Sequence, residues 1–478
     1  MLRLLYRAVE RVSPTLGQLI RDTYSTVNGW RFNDLKRHVD ARFQVGGTGA
    51  GAVALAMSLD VLRTQGSTAK PQRRIAFVSN MPPENTGLAS CSFYSWLGHE
   101  GAVDIFCPVS DLDWFTANSL MLASPSGSIG VRLLDVGAFL SADQTNHYDS
   151  IVVAIGNSDS CFYIHDLLKK IGAFGGIERC VLYVHDPCLL NLVQRGTQIS
   201  AAEMASVFDV IYGRPLADAA APGAFDWEVH EELVARGALG ARWFTSLGIK
   251  QFLVNSDAAE ALLVADLDGT DATVRKIFHP AFLPLGAEAH AARQRPVASC
   301  TGQPMITVGT FGVPSASKRT QDIVKAVQHI QHGGQPARLL IAGFGVSAYA
   351  KQNAKLLAGI TVQLFDGPTD LQLLDCMREV DVAVQLRSRN LGESSGVVPQ
   401  LLQLCKPTVV SALGSFAEFG DAVASLSPEA TYEDIASAIL AAAKDPPRVE
   451  AMQVYTADRS PKRFREVLLG ILDRNRSL

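Results

Sequence analysis

Two runs of the chain alternate short, β-branched apolar segments with longer segments of helical spacing. Consecutive parallel strands need a crossover of a dozen or more residues, and a helix usually supplies it. Each run therefore predicts a parallel sheet with helices packed on its faces. The predicted strands are Arg73–Asn80, Ala102–Phe106, Tyr148–Ile155, Cys180–Val184 and Phe252–Asn255 in the first run, and Met305–Gly312, Ala337–Gly343, Val362–Phe365, Asp381–Leu386 and Thr408–Ser411 in the second.

The length of 478 residues exceeds one ordinary domain and fits this division into two. We predict an α/β protein with two doubly wound, Rossmann-like domains that face one another across a cleft, the default place for a ligand. The small, polar segment Gly286–Gly302 is the predicted linker. The predicted parts are a helical N-terminal extension (1–70), a first domain (71–288), a second domain (303–445) and a helical tail that returns toward the first domain (446–478).

Composition excludes several classes of function. Hydrophobic residues make up 47% and charged residues 19%, and the net charge of -4 gives no reason to expect a nucleic-acid partner. None of the eight cysteines forms a CxxC pair, so reduced thiols are expected rather than disulfides or a metal site. The sequence has neither an apolar stretch of 18 residues nor a convincing secretory signal, which predicts a cytoplasmic protein, with a peripheral position at the inner membrane face left open.

The N-terminal segment Met1–Phe43 is basic and has apolar residues at helical spacing. One interpretation is a helix on an anionic membrane surface, near a lipid-linked acceptor. The other is an arm that packs on its own domain or on a partner subunit, and the acids that interrupt the basic face favour it. These acids are Glu10, Asp22, Asp34 and Asp40.

Leu386–Asp421 reads as a strand end, a turn rich in glycine and serine, a helix and a second strand. A helix that starts after Gly396 would direct free N–H groups at an anion such as a diphosphate. The carboxylate of Glu393 and the hydroxyls of Ser394 and Ser395 could then hold the neutral part of the same ligand. The alternative for Glu393 is an acid that only interacts with the helix dipole.

In the first run, polar residues follow the strand ends, where ligands lie in open parallel sheets. Asn157 and Ser158 follow one strand, and His185 and Asp186 follow the next. Gly87 stands in a turn after the first strand, where it would let the backbone approach a ligand closely. A histidine in such a place is often only a structural hydrogen-bonding group.

Six segments in the right order resemble the family 4 retaining glycosyltransferases of the GT-B fold, in the branch that builds bacterial polysaccharides and glycoconjugates. The resemblance covers Arg74 to Phe464. Its segments are PPENTGLASCSF, AIGNSDS, YVHDPCL, GTFGVPSASKRTQDIVKA, VDVAVQLRSRNLGESSGVV and KPTVVSALGSFAEFGD. It implies a nucleotide-diphosphate sugar as donor, a glycan, lipid-linked or protein acceptor, and transfer with retention.

The resemblance also implies roles at the donor diphosphate. Lys318 matches the lysine that holds the diphosphate in the family, and Gly312 lies in the same loop. Arg319 stands where glycine is common, and Thr310 where many members carry a second basic residue. Phosphate neutralisation is therefore left to Lys318, with Arg387 or Arg319 as candidate helpers.

Further implied roles concern the sugar and the nucleoside. His185 resembles the histidine beside the donor sugar, Asp186 orients it or contacts the acceptor, and Gly87 lies under the donor phosphates or beside the acceptor. The acidic pair of the family aligns with Gly392 and Gln400 and is absent from both positions. Glu393 stands one place late, and Gln400 replaces the acid that binds the ribose hydroxyls.

No metal or cofactor is expected if these cations stabilise the leaving group. Two DxD patterns, Asp111–Asp113 and Asp266–Asp268, are interpreted as surface or helix-end acids. The GESSG turn and the PPENTG loop argue against a sugar-nucleotide epimerase or a phosphorylase. A catalytically silent subunit of a glycan-assembly complex stays open because of Thr310 and Gln400.

Overall fold

The computed structural model describes residues 50–65, 74–84, 86–122, 130–146, 148–221, 224–285, 287 and 305–474. These residues form an α/β protein with two sheets, which confirms the predicted fold class. The basic segment Met1–Phe43 and nearly all of the predicted linker lie outside the described residues. No helix in the described part of the chain is long and apolar enough to cross a membrane.

The first sheet has seven strands in the order β3-β2-β1-β4-β5-β6-β7. The pairs β1–β2, β2–β3, β1–β4 and β4–β5 are parallel, with Ile75 opposite both Val103 and Ser150. The strands are β1 (Ile75–Val78), β2 (Val103–Cys107), β3 (Val131–Asp135), β4 (Ser150–Ile155), β5 (Cys180–Val184), β6 (Gln251–Val254) and β7 (Thr273–Lys276).

Helices connect these strands, and every residue of β1, β2, β4 and β5 is buried between them, as expected for a parallel sheet. The helices are α1 (Ala50–Gln65), α2 (Gly87–Trp96), α3 (Leu112–Leu122), α4 (Phe139–Asn146), α5 (Tyr163–Ala173), α6 (Leu190–Thr197), α7 (Ala201–Tyr212), α8 (Asp226–Ala235), α9 (Ala241–Ser246) and α10 (Asp257–Asp266).

The second sheet has six parallel strands in the order β10-β9-β8-β11-β12-β13. Its strands are β8 (Ile306–Phe311), β9 (Ala337–Gly343), β10 (Thr361–Asp366), β11 (Val382–Gln385), β12 (Thr408–Ser411) and β13 (Ala424–Leu426). Its helices are α11 (Thr320–His332), α12 (Val346–Gln352), α13 (Ala354–Leu357), α14 (Asp370–Glu379), α15 (Val397–Gln403), α16 (Tyr432–Lys444), α17 (Val449–Asp458) and α18 (Pro461–Arg474).

Two apolar layers enclose the second sheet because the strand side chains alternate between its faces. Val308, Leu339 and Val382 pack with α11 and α16 on one face. Leu340 and Ala383 pack with α14 and α15 on the other. A helical tail was expected after residue 446, and the structure has two helices there, α17 and α18.

Three strands were missed by the sequence prediction. β3 has the sequence VRLLD, and its Arg132 interrupts the apolar run. β7 and β13 have no fully buried residue, so they lack the periodicity that marks a strand. Gly46–Leu62, for which no structure was predicted, overlaps α1.

The described residues divide into two compact units. The first contains those within Met1–Val184, Cys188–Phe252 and Asp266–Thr273. The second contains His185–Pro187, Leu253–Ala265 and Val274–Leu478. The segment after β5, and the end of β6 with most of α10, therefore belong to the same unit as the second sheet, and this assignment brings several predicted site residues into one unit.

Candidate functional site

The strand order of the second sheet reverses between β8 and β11, which are neighbours in space although six other elements separate them in sequence. At such a switch point the two following loops leave in opposite directions and open a crevice at the carboxyl edge of the sheet. Gly312 and Lys318 follow β8, and Arg387 follows β11. The topology thus places three of the predicted donor-binding residues at this crevice.

The amine of Lys318 packs directly against the backbone of Gly312. A Cβ atom built on Gly312 would lie 2.5 Å from Lys318 Nζ, at the movable end of that side chain, whereas the φ of +94° is a backbone conformation that favours glycine. Burial, together with the nearby charge of Arg387, lowers the pKa of Lys318 from 10.5 to about 8. Among the described residues, no carboxylate forms an ion pair with this amine.

Arg387 lies beside Lys318 and is held in place by an aromatic ring. Its guanidinium lies 4.7 Å from the centre of the Phe416 ring, and Nη1 donates to the Leu386 carbonyl over 2.8 Å. Burial lowers the pKa of Arg387, and the charge of Glu393 opposes that shift. Two half-buried cations with lowered pKa values therefore occupy one crevice, which is an arrangement that an anion would stabilise.

The guanidinium of Arg319 is engaged by the protein itself. Nε donates to Asp322, Nη1 to the Pro428 carbonyl and Nη2 to the Ala430 carbonyl, over 2.9, 2.8 and 2.5 Å. These bonds tie the start of α11 to the loop before α16. A contact between Arg319 and the donor diphosphate stays a prediction, and this geometry does not favour it. Thr310, in place of a second basic residue, is buried in β8.

The turn at Gly392–Gly396 is held by its own hydrogen bonds. Leu391 N donates to Glu393 Oε2 over 2.7 Å, and Gly392 N donates to Asn390 Oδ1 over 2.7 Å. Gly392 has a φ of +92°, and an added Cβ would lie 2.6 Å from Ala259 Cα. This turn is therefore a fixed structure that only glycine permits at its centre.

Glu393 is half-buried and lies near one acidic side chain, Asp186, and one basic side chain, Arg387. Burial raises the pKa of its carboxyl and the neighbouring Asp186 raises it further, whereas the N–H of Leu391 and the charge of Arg387 oppose the shift. The charges of Asp186 and Glu393 therefore interact, and a shared role at the donor stays a prediction. A raised pKa allows Glu393 to gain a proton at a higher pH than an ordinary glutamate.

The helix after this turn, α15, begins as predicted at Val397 but is only seven residues long. Ser395 Oγ accepts the N–H of Val398 over 3.2 Å, and Pro399 has no N–H to offer. Fewer free N–H groups are therefore available to an anion than the sequence pattern suggested. Gly396, Ser394 and Gln400 are half-buried around the same turn.

His185 stands close to a second histidine. Burial, and to a lesser extent His279, lowers the pKa of His185 well below 6.5, so the imidazole is neutral at neutral pH. The two rings are nearly perpendicular, with centres 6.0 Å apart. The amide nitrogen of Asn255 lies 3.4 Å from His185 Nδ1, and with the amide in this orientation Nδ1 is the acceptor and the proton lies on Nε2.

Gly87, Asn157 and Ser158 belong to the first unit. Gly87 begins α2, and an added Cβ would meet no atom within 4 Å. Asn157 Oδ1 accepts the N–H of Leu192 over 2.9 Å and so holds the first turn of α6. Ser158 Oγ lies 2.9 Å from Ser160 Oγ. Their proposed contacts with donor or acceptor stay predictions.

The two DxD patterns serve helix ends. Asp111 Oδ1 accepts the N–H of Trp114 at the start of α3 over 2.9 Å. Asp266 ends α10 and is buried rather than exposed, because its carboxylate accepts from the Tyr212 hydroxyl and from the N–H groups of Leu239 and Ala241, each over 2.8 Å. These contacts give both acids a structural role.

A small polar cavity of about 20 Å³ lies behind the Gly392–Gly396 turn. Several residues that line this cavity were not predicted as site residues, although Asn255 and Ser256 follow one strand and Ser415 and Glu418 follow another. Their positions after strand ends were the signal in the sequence that could have identified them. The lining includes Asn255, Ser256, His279, Ser395, Ser415 and Glu418.

No family model matches this chain, and no curated protein sequence matches it either. Solved structures with the same fold include a glycosyltransferase from Rickettsia africae ESF-5, at 11% identity and a TM-score of 0.52 over 84% of this chain and 98% of that chain.

Two further structures have a TM-score of 0.50. A UDP-forming α,α-trehalose-phosphate synthase from Burkholderia xenovorans, in complex with glucose-6-phosphate, has 13% identity over 84% of this chain and 100% of that chain. Sucrose-phosphate synthase from Thermosynechococcus elongatus has 14% identity over 84% of this chain and 98% of that chain. At these identities the likeness establishes a shared two-sheet α/β fold.

Proposed function

We propose that the protein transfers a sugar from a nucleotide-diphosphate donor to an acceptor hydroxyl, with retention at the anomeric carbon. The observation that carries this proposal is the pair Lys318 and Arg387 at the switch point of the second sheet. Two adjacent cations, each with a pKa lowered by burial, match the charge of a diphosphate. The names of the similar structures, one of them a UDP-forming synthase, support the same class of donor.

Breaking the sugar–phosphate bond places negative charge on the leaving diphosphate and positive charge on the sugar. Lys318 and Arg387 would stabilise the diphosphate as its charge grows, which is the largest contribution that preorganised groups usually make. With two cations supplying this charge, no metal ion is required in the proposed mechanism. The expected stereochemistry follows from the resemblance to retaining enzymes.

Glu393 and His185 would hold the sugar. The neutral His185 can donate a hydrogen bond from Nε2 to a sugar oxygen without placing a second positive charge beside the developing cation. Glu393 accepts hydrogen bonds from sugar hydroxyls when it is ionised. Asp186 would orient the acceptor hydroxyl or the histidine, and Gln400 would offer its amide to the ribose hydroxyls.

The acceptor is proposed to be a glycan, lipid-linked or protein hydroxyl. The polysaccharide branch of the resemblance supports this class. The similar structures named as trehalose-phosphate and sucrose-phosphate synthases extend it to sugar phosphates, which belong in the same test panel. A cytoplasmic location, with the basic segment Met1–Phe43 near a membrane or a partner, is part of the proposal.

The test is to incubate the full chain with UDP-, GDP-, ADP- and TDP-sugars and these acceptors, and to measure nucleoside diphosphate release with and without a chelator. Proton NMR of the product then gives its anomeric configuration. We expect release from one donor class, unaffected by the chelator, and a product with the donor's configuration. Binding of donors without release or transfer would favour the silent-subunit alternative.

A further inference from the structure

Two serine hydroxyls hold the peptide groups on either side of Glu393. Ser256 Oγ donates to the Gly392 carbonyl over 2.9 Å, and Ser415 Oγ donates to the Glu393 carbonyl over 2.6 Å. The planes of these two peptide groups define φ and ψ at Glu393, and those angles set the direction of its Cα–Cβ bond. The two hydroxyls therefore fix the direction in which the Glu393 side chain leaves the backbone.

Ser256 is itself rigidly placed. It is 1% exposed, and its Oγ also accepts the N–H of Ala259 over 3.0 Å as the cap of α10. Glu418 Oε1 accepts the N–H of Ala258 in the same helical turn over 3.3 Å. One hydroxyl thus connects the start of α10 with the Gly392–Gly396 turn, and donates and accepts at once.

Close packing supports the same contact. An added Cβ on Gly392 would lie 2.6 Å from Ala259 Cα and 2.7 Å from Ala259 N, so the turn lies directly on the first residues of α10. Asn390 Nδ2 lies 3.3 Å from both the Glu393 carbonyl oxygen and Ser415 Oγ, and completes the support on the other side.

We infer that Ser256 and Ser415 are positioning residues that aim the carboxyl of Glu393 at the donor sugar. This inference rests on the proposed function, because it takes Glu393 to contact the sugar. Ser256 lies 136 residues before Gly392 in the sequence, and its hydroxyl donates to the turn in addition to capping α10. A cap alone would need only the acceptor half of the hydroxyl.

The experiment compares Ser256→Ala, Glu393→Ala and the double variant in the full chain. Dissociation constants are measured for a nucleoside diphosphate and for the corresponding nucleotide sugar, together with kcat. Ser200→Ala is the matched control, because Ser200 Oγ caps α7 through the N–H of Glu203 and makes no contact with the turn. Ser415→Ala is the second test of the same support.

We expect Ser256→Ala and Ser415→Ala to bind the nucleoside diphosphate as the wild type does, since Lys318 and Arg387 are intact. Affinity for the nucleotide sugar and kcat should each fall about tenfold, the size expected for one lost hydrogen bond in a buried network. The double variant should be no worse than Glu393→Ala alone, because the serine acts through the side chain that this substitution removes. Ser200→Ala should lower the melting temperature, as loss of the cap does in Ser256→Ala, and should leave nucleotide-sugar affinity and kcat unchanged.

Additive losses in the double variant would overturn the inference, as would Ser256→Ala with unchanged kcat and sugar affinity. A Ser256→Ala variant that loses nucleoside diphosphate affinity as well would also overturn it, since the serine would then hold the whole site. A different result separates failure of the proposed function. If the wild type binds no nucleoside diphosphate and no nucleotide sugar, the donor proposal fails, and the inference falls with it.

Discussion

At the scale of single residues, Lys318 separates a cost in stability from the proposed contact with the diphosphate. Replacing it by methionine removes a half-buried cation that has no carboxylate partner among the described residues. We expect Lys318→Met to leave the melting temperature unchanged or raised, and to weaken nucleoside diphosphate binding by roughly 10- to 100-fold. Calorimetric titration and thermal unfolding measure the two effects.

The control is Lys325→Met on the exposed face of α11, which should change neither quantity. A Lys318→Met variant that loses stability and keeps its affinity would assign the lysine a structural role instead.

The pH dependence of diphosphate binding should report the same amine. Its pKa of about 8 in the free protein must rise when an anion binds beside it. Binding is therefore expected to take up a proton above pH 8. Affinity should be flat between about pH 7 and pH 8, where the terminal phosphate is already ionised, and should fall by up to about tenfold per pH unit above pH 8. Titrations in buffers of different ionisation enthalpy measure the proton uptake, which Lys318→Met should abolish.

At the scale of elements, the turn between β11 and α15 depends on a glycine. Gly392→Ala combines a left-handed φ of +92° with a contact of 2.6 Å to Ala259. We expect a loss of about 2–4 kcal/mol in the free energy of unfolding, from strain and overpacking together. Denaturant unfolding measures it.

Gly345→Ala separates the two causes. Gly345 has a φ of +72° and open space around its Cα, so only backbone strain of about 1–2 kcal/mol should appear. Equal losses in the two variants would contradict the close packing of the turn on α10.

Another element-scale prediction concerns a buried charge cluster at the amino ends of strands in the first sheet. Asp104 on β2 is fully buried and bonds with Arg74, Arg132 and Tyr148. Asp104→Asn leaves two arginines without their carboxylate, which should cost about 3 kcal/mol of stability. Asp271→Asn, which breaks an exposed pair with Lys250, should cost no more than about 1 kcal/mol. Similar losses from both variants would contradict the buried cluster.

At the scale of the whole molecule, the two sheets and the strand ends that carry Lys318, Arg387 and Glu393 were predictable from sequence. Strand periodicity and turn chemistry are local, so they can be read from neighbouring residues. The support of the turn was not predictable in this way. Ser256 lies 136 residues from Gly392, and no local pattern reports a hydrogen bond over that distance.

Arg319 shows the same limit of sequence prediction, for a residue that was predicted to belong to the site. Its sequence position beside Lys318 suggested a phosphate contact. Its bonds to the carbonyls of Pro428 and Ala430, 109 and 111 residues away, depend on how α11 packs beside the loop before α16. Residue type and position identify candidates for a site, whereas tertiary packing decides which acceptor each hydrogen-bond donor of these residues meets.

A crystal structure of the full chain with a bound nucleoside diphosphate tests the donor site most directly. Our account predicts the diphosphate at the carboxyl edge of β8 and β11, with oxygens within hydrogen-bonding distance of Lys318 Nζ and the Arg387 guanidinium. A nucleoside diphosphate bound elsewhere, with these two side chains unchanged and not in contact with it, would contradict the account.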